Sequence, residues 1–201
     1  MTGSQRSGDG PGAEAGAEQL LETMKKCAAA MSGAGIPFAL AGSAAAYARG
    51  GGVPTHDIDF VLLEEDADAA AKVLADGGMR IVRPPEGWLV KAYDGDSMVD
   101  LIYRLAGRPV TTQLLQRTDS LEVAAVRVPV LSGTDLVLSW LGSFSEHHAD
   151  FAGALTCVRP LREQVDWATV REQTRGDAFA EAFLLLLERL GVIAAAGAGQ
   201  P

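Results

Sequence analysis

The chain is short of sulfur, of positive charge and of long apolar stretches. Its 201 residues include two cysteines, Cys27 and Cys157, in no C-x-x-C spacing. Neither a disulfide framework nor a zinc knuckle is indicated, and both cysteines read as reduced, packed thiols. Lysine and arginine number 17 against 26 aspartates and glutamates, for a formal charge of -9. A broad grip on nucleic acid needs a clustered basic face that displaces counterions from phosphates, so this balance disfavours nucleic acid without excluding a local basic patch. The longest apolar runs, such as Phe183 to Leu187, stop well short of the ~18 residues that a membrane span requires. The first sixteen residues are rich in Gly, Ser and Ala and lack the apolar segment of a secretory signal. A cytoplasmic protein without membrane contact is expected, and no internal repeat is visible.

What is present suits one globular domain. Hydrophobic residues make up 48% of the chain and charged residues 21%, enough to bury a core in an α/β or α+β unit with a helical extension. Residues 1–14 and 194–201 have little to bury and are expected to be disordered tails. Between them the pattern divides into a mixed α/β core over 15–130 and a C-terminal helical part over 131–193.

Local patterns predict the elements. Helical spacing of Leu20, Met24, Cys27 and Met31 predicts a helix over 18–31 that Gly33 and Gly35 stop. Ile36 to Ala41 suits a buried strand and Ser43 to Arg49 a short helix. Asp57 to Leu63 has the pattern of a strand entering a core, and Asp66 to Asp76 that of a helix closed by glycine. Met79 to Val82 suits a further strand. Leu89 to Tyr93, the turn Asp94-Gly95-Asp96-Ser97, and Met98 to Tyr103 predict a hairpin, because glycine there supplies the positive φ of a tight turn. Pro109 to Arg117 is expected as a helix. Leu121 to Val130 is β-like, with Pro129 favouring a sheet edge. Ser132 and Asp135 resemble a capping box opening a helix that carries Leu136, Leu138, Leu141 and Phe144. Further helices are expected over 146–158, 166–173 and 177–190.

The chemistry is concentrated in three short stretches: Ala41-Gly42-Ser43-Ala44, Asp57-Ile58-Asp59-Phe60, and Val99-Asp100-Leu101. Residues i and i+2 of a strand face the same way about 7 Å apart, so Asp57 and Asp59 can both reach an ion over that face while Ile58 and Phe60 meet the core. Two neighbouring carboxylates repel unless a cation compensates. Mg²⁺ does so with oxygen ligands at ~2.0–2.1 Å, taking some from carboxylates and the rest from water and phosphate. With Asp100 on the neighbouring strand, three carboxylates can hold two ions, or one ion plus a base for an attacking hydroxyl. Gly42, at a strand-to-helix transition, lets backbone approach a polyphosphate, and Ser43 offers a hydroxyl and an N–H at a helix start.

In this order the stretches resemble the signature of the minimal nucleotidyltransferase superfamily: a small glycine turn, a D-x-D strand and a third acidic residue on a later strand. Thr55-His56-Asp57-Ile58-Asp59-Phe60, Val99-Asp100-Leu101-Ile102 and Glu146-His147-His148-Ala149-Asp150-Phe151 are similar to an uncharacterised branch related to AbiEii-type toxins and, more distantly, to aminoglycoside and lincosamide nucleotidyltransferases. The resemblance runs from about Phe38 to Leu190. It implies a nucleotidyltransferase-like mixed sheet flanked by helices. Gly42 and Ser43 would touch a nucleoside triphosphate such as ATP, Asp57 and Asp59 would bind Mg²⁺, and Asp100 would be the third, catalytic and metal-facing carboxylate. An acceptor hydroxyl would attack the α-phosphorus in line and release pyrophosphate, with positioning and charge neutralisation supplying the catalysis. The branch connects the chain to toxin–antitoxin and antibiotic-modification chemistry. Relatives often carry a lysine near the nucleotide in the helix after the β-rich part, where this chain has Trp140. Arg49, Lys91, Arg104 and Arg108 are the cations available to replace it.

Each signal has a plainer alternative. Asp57 and Asp59 also suit a solvated strand end after the Pro54-Thr55 loop, and Asp100 an outward-facing strand position. Asp150 suits either a contact to the nucleotide base or an ordinary helix-surface carboxylate. His147 and His148, adjacent on an expected helix, diverge by ~100° and make a poor ligand pair. His56 is expected to point away from the carboxylate face in a structural role. Phe179, Phe183, Leu186, Leu187 and Leu190 form either core or an interface to a partner or second copy. The acceptor stays open between tRNA, a protein side chain and a small molecule, with the acidic balance favouring a small or basic one. A catalytically weakened relative acting as a regulator or partner-binding protein is the alternative function.

Overall fold

The computed structural model describes residues 11–54 and 56–195. Most of both expected tails, together with Thr55, falls outside that range. Residues 11–14, assigned above to a tail, instead begin helix α1, Pro11–Gly33. The remaining elements of the first part are β1 (Phe38–Ala41), α2 (Gly42–Ala48), β2 (Asp57–Leu62), α3 (Ala67–Asp76), β3 (Arg80–Val82), β4 (Leu89–Asp94), β5 (Ser97–Ile102), β6 (Arg104–Leu105), β7 (Arg108–Pro109), α4 (Thr112–Gln116), β8 (Asp119–Val123) and β9 (Val126–Val130). The second part is helical: α5 (Gly133–Leu141), α6 (Phe151–Leu161), α7 (Trp167–Gln173) and α8 (Ala178–Arg189).

Seven strands form one mixed sheet in the order β3-β4-β5-β2-β1-β9-β8. β2 runs antiparallel to β1 and parallel to β5, which is the mixed α/β arrangement expected. Strand alternation places Ile58, Phe60 and Leu62 on one face of β2, all fully buried, with Phe38 edge-on to Phe60 at 5.4 Å between ring centroids. α1 and α3 pack against β2, β4 and β5. Met24, Cys27 and Met31 of α1 are completely buried, and burial pushes the Cys27 thiol up to about 12, an inert packing residue.

Several local expectations change. The β-like run 121–130 is a hairpin whose two central residues, Ala124 and Ala125, have φ of 49° and 65°. Alanine rarely signals such a turn, since its Cβ penalises positive φ. Pro129 therefore lies on an inner strand. Its missing N–H is tolerated because β1 meets β9 only at the Leu40–Val130 register. The helix expected from Pro109 begins at Thr112, capped by the Thr111 hydroxyl. Pro109 itself closes the small β6–β7 hairpin, turned by Ala106 and Gly107 at positive φ.

Ser132 caps α5 as expected, accepting from the Asp135 N–H at 3.0 Å and donating to its Oδ2 at 2.7 Å. Phe144 lies beyond the end of that helix. α6 starts at Phe151 rather than Glu146, and His147 and His148 belong to a turn closed by a Ser145–His148 bridge. The argument from helical divergence consequently does not apply to them. α5 joins the two parts, with Leu136 in the sheet core and Val137 and Leu141 in a second apolar cluster. Phe183 and Leu187 of α8 are fully buried in that cluster, whereas Leu190 stays exposed.

Candidate active site

Register assembles the site. Asp59 pairs with Asp100 across β2 and β5, Asp100 with Lys91 across β5 and β4, and Asp59 with Ala41 across β2 and β1. In-register neighbours share a sheet face. Lys91, Asp100, Asp59 and Ala41 thus form one row, with Asp57 one pleat further along β2. One oxygen from each of Asp57, Asp59 and Asp100 lies within 4.8 Å of the others, the one such metal-competent group among the described residues. Neither His147 nor His148 belongs to it.

Gly42 follows Ala41 at the end of this row. Its φ is +55°, and a Cβ built there would stand 2.8 Å from Asp59 Cγ and nearer still to Oδ2. The φ favours glycine, and the space leaves no room for a Cβ unless Asp59 shifts. Ser43 follows in the first turn of α2.

The carboxylates are held under electrostatic tension. Burial, then the charges of Asp57 and Asp100, push the Asp59 carboxyl up to about 7. Burial, then Asp100, also raises Asp57. Three hard oxygen donors converging, with Asp57 and Asp59 at raised pKa, are the donor set a divalent cation such as Mg²⁺ satisfies. One cation is already in place: Lys91 Nζ donates to both oxygens of Asp100 at 2.8 Å. Burial works against the Lys91 charge, but the hydrogen bond and field of Asp100 outweigh it and raise its pKa.

Arg49 and Arg104 are engaged by other partners. Arg49 binds Asp119, the Leu131 carbonyl and Gln164, tying α2 to the sheet end and the helical part. Arg104 pairs with Glu64. Asp150 caps α6, its Oδ1 accepting from the Gly153 N–H at 2.9 Å.

A cleft of about 530 Å³ opens beside the row, lined by Gly42, Asp59, Trp88, Ile102, Arg104 and Trp140 among others. Trp140, singled out as the replacement for a lysine, is thus part of the wall. Trp88 was not anticipated, and nothing in its local sequence marks it. Lys91 was one of four cations named, and its role was accessible: counting three residues back from Asp94 and three on from Ser97 across the turn pairs Lys91 with Asp100.

Comparison with known proteins gives a family and a fold. The profile of a family described as uncharacterised nucleotidyltransferase matches residues 12–199. No curated protein matches the chain in sequence. Among solved structures, the antibiotic-resistance factor ANT(2'')-Ia in complex with adenylyl-2''-tobramycin is similar at a TM-score of 0.60 and 16% identity, covering 84% of this chain and 98% of that one. An antigenic nucleotidyltransferase-like protein from Paracoccidioides brasiliensis gives 0.55 at 14% identity, covering 86% and 88%. The lincosamide antibiotic adenylyltransferase LnuA, lincomycin-bound, gives 0.52 at 12%, covering 74% and 98%. At these identities the structural likenesses establish the fold. No helix among the described residues is long and apolar enough to cross a membrane.

Proposed function

We propose that this chain, which belongs to the uncharacterised nucleotidyltransferase family and is an enzyme of that class, transfers a nucleoside monophosphate from a Mg²⁺-bound nucleoside triphosphate to a hydroxyl acceptor. The observation that carries the reading is the convergence of Asp57, Asp59 and Asp100 within 4.8 Å beside a glycine whose Cβ would collide with Asp59. Asp57 and Asp59 would hold Mg²⁺, which on binding neutralises the triphosphate and the charge that develops in transfer. Gly42 and Ser43 would bring backbone and a hydroxyl to the triphosphate. Asp100 faces the same space and would take the proton of the acceptor hydroxyl as its oxygen bonds to the α-phosphorus. The α–β phosphoanhydride bond breaks, and pyrophosphate leaves with the electron pair.

The cleft favours a small acceptor with an apolar face, since Trp88, Trp140 and Ile102 line it beside the carboxylates. Antibiotics modified by ANT(2'')-Ia and LnuA are precedents for the acceptor's size, and the wall of this cleft is the reason to extend them here. Asp150 is proposed to reach the nucleotide base from the α6 N-terminus. Asparagine caps a helix as well as aspartate does, so Asp150→Asn should weaken nucleotide binding while leaving the melting temperature unchanged; undiminished binding would remove the contact.

The test is transfer from each of four α-³²P-labelled triphosphates to acceptors in a cell extract, with wild type beside Asp57→Ala. Label transfer that depends on Asp57 and on Mg²⁺ supports the reading; transfer that survives the substitution removes the metal role. Calorimetry of ATP, CTP, GTP and UTP with and without Mg²⁺ separates a remaining case. Metal-dependent binding without transfer to any acceptor makes the chain a nucleotide-responsive regulator, the role to which the exchange of lysine for Trp140 points.

A further inference from the structure

The acidic row has a cation built into one end, and this bears on how many metal ions the site takes. Lys91 reaches Asp100 from the neighbouring strand with its ammonium 2.8 Å from each carboxylate oxygen. The pair is shielded, with the Lys91 side chain 25% exposed and that of Asp100 9%, and Met98 Sδ lies 3.5 Å from the same nitrogen. Strand order sets the direction: Gly42 and Asp59 stand at the β1–β2 end of the row, Lys91 at the β4 end. Asp57 and Asp59, both on β2, thus stand on the Gly42 side of Asp100, and Lys91 on the other. A second ion, ~3.5–4 Å from the first in two-metal sites, would have to share the Asp100 carboxylate with the ammonium that already donates to both of its oxygens.

Resting on the metal-dependent reading above, we propose that this is a one-ion site in which Lys91 replaces the second divalent cation and positions Asp100. Both Asp100 oxygens already accept from a fixed donor on one side, so the carboxylate cannot rotate to chelate a second ion without breaking two charge-assisted hydrogen bonds. Held in this way, Asp100 keeps an oxygen within 4.8 Å of those of Asp57 and Asp59, where the acceptor hydroxyl would arrive. Lys91 is a positioning residue here; it acts through Asp100.

Counting bound Mn²⁺ by electron paramagnetic resonance tests this without turnover. Titrated with Mn²⁺ alone, wild type should bind one ion per chain with an uncoupled six-line spectrum. Lys91→Met should bind two with exchange coupling, and Lys91→Arg, which keeps the cation, should stay at one. Two coupled ions in wild type, or a single ion in folded Lys91→Met, overturns the proposal and leaves the metal-dependent transferase standing. Absence of bound Mn²⁺ in wild type and every variant overturns both. If Lys91→Met fails to fold, the counts for wild type and Lys91→Arg decide the matter.

Discussion

Gly42 and Asp59 are packed so tightly that a methyl group on the glycine would enter the Asp59 carboxylate, 2.8 Å from Cγ. The end of β1 and the middle of β2 are paired at Ala41 and Asp59, so neither backbone can withdraw without opening the sheet. The glycine leaves the Asp59 carboxylate in its place.

Gly42→Ala should therefore harm the site more than the fold. Positive φ costs alanine about 1–2 kcal/mol, and the added carbon displaces Asp59. A drop of several degrees in melting temperature is expected together with loss of Mn²⁺ binding. Retained Mn²⁺ affinity would show that Asp59 is not a ligand.

Asp59 should make the stability of the metal-free protein depend on pH. Its folded pKa of about 7 lies above the ~3.9 of an unfolded aspartate, so the folded state holds the proton more tightly. The associated stability is fully present below about pH 4 and is lost as pH rises through 7. At ~1.4 kcal/mol per pKa unit, the charge costs the metal-free fold a few kcal/mol at pH 8. Asp59→Asn should melt higher than wild type at pH 8 and much the same at pH 4, and Mg²⁺ should stabilise only the wild type. Equal melting curves at pH 8 would contradict the buried-charge account.

Trp140→Lys would place an ammonium in the cleft wall beside Gly42 and Asp59. A charge-assisted hydrogen bond contributes ~1.5–3 kcal/mol, so triphosphate affinity should rise about tenfold or more in calorimetry. An unchanged Kd would mean that residue 140 does not face the phosphates.

The β8–β9 turn is a site for stabilisation away from the chemistry. Ala124 and Ala125 have φ of 49° and 65°, the conformation that Asn-Gly adopts without penalty. Ala124→Asn with Ala125→Gly should stabilise the protein by about 1–2 kcal/mol without altering Mn²⁺ binding, as read from urea unfolding.

Phe183 tests whether the C-terminal helices are core. It is fully buried, with the rings of Phe144 and Phe151 at 5.6 and 5.2 Å. Phe183→Ala should cost ~3–5 kcal/mol. A loss below 1 kcal/mol would revive the interface reading of α8.

Most of the fold was legible where local rules suffice. The β4–β5 hairpin followed from Gly95 at φ 63° and the start of α5 from its Ser132 cap, while Asp166 and Asp177, expected as the first residues of α7 and α8, prove to be their N-caps. The misses share a cause. Ala124-Ala125 and Ala106-Gly107 turn tightly because their strands demand it, against alanine's own preference. The 146–150 segment kept an apparent helical continuity that the Asp150 cap interrupts.

Within the site, the sequence alone determined the residues and their facing: a D-x-D on a strand puts two carboxylates on one side, and the hairpin count sets Lys91 opposite Asp100. These are consequences of period-two alternation and turn closure, which need only neighbours along the chain. Only the tertiary structure decided that β5 lies beside β2, that Gly42 meets Asp59, that Arg49 is spent on Asp119, and that Trp88 and Trp140 face one cleft. Strand order and helix docking are set by burial of the whole apolar surface at once, and no local pattern carries that information.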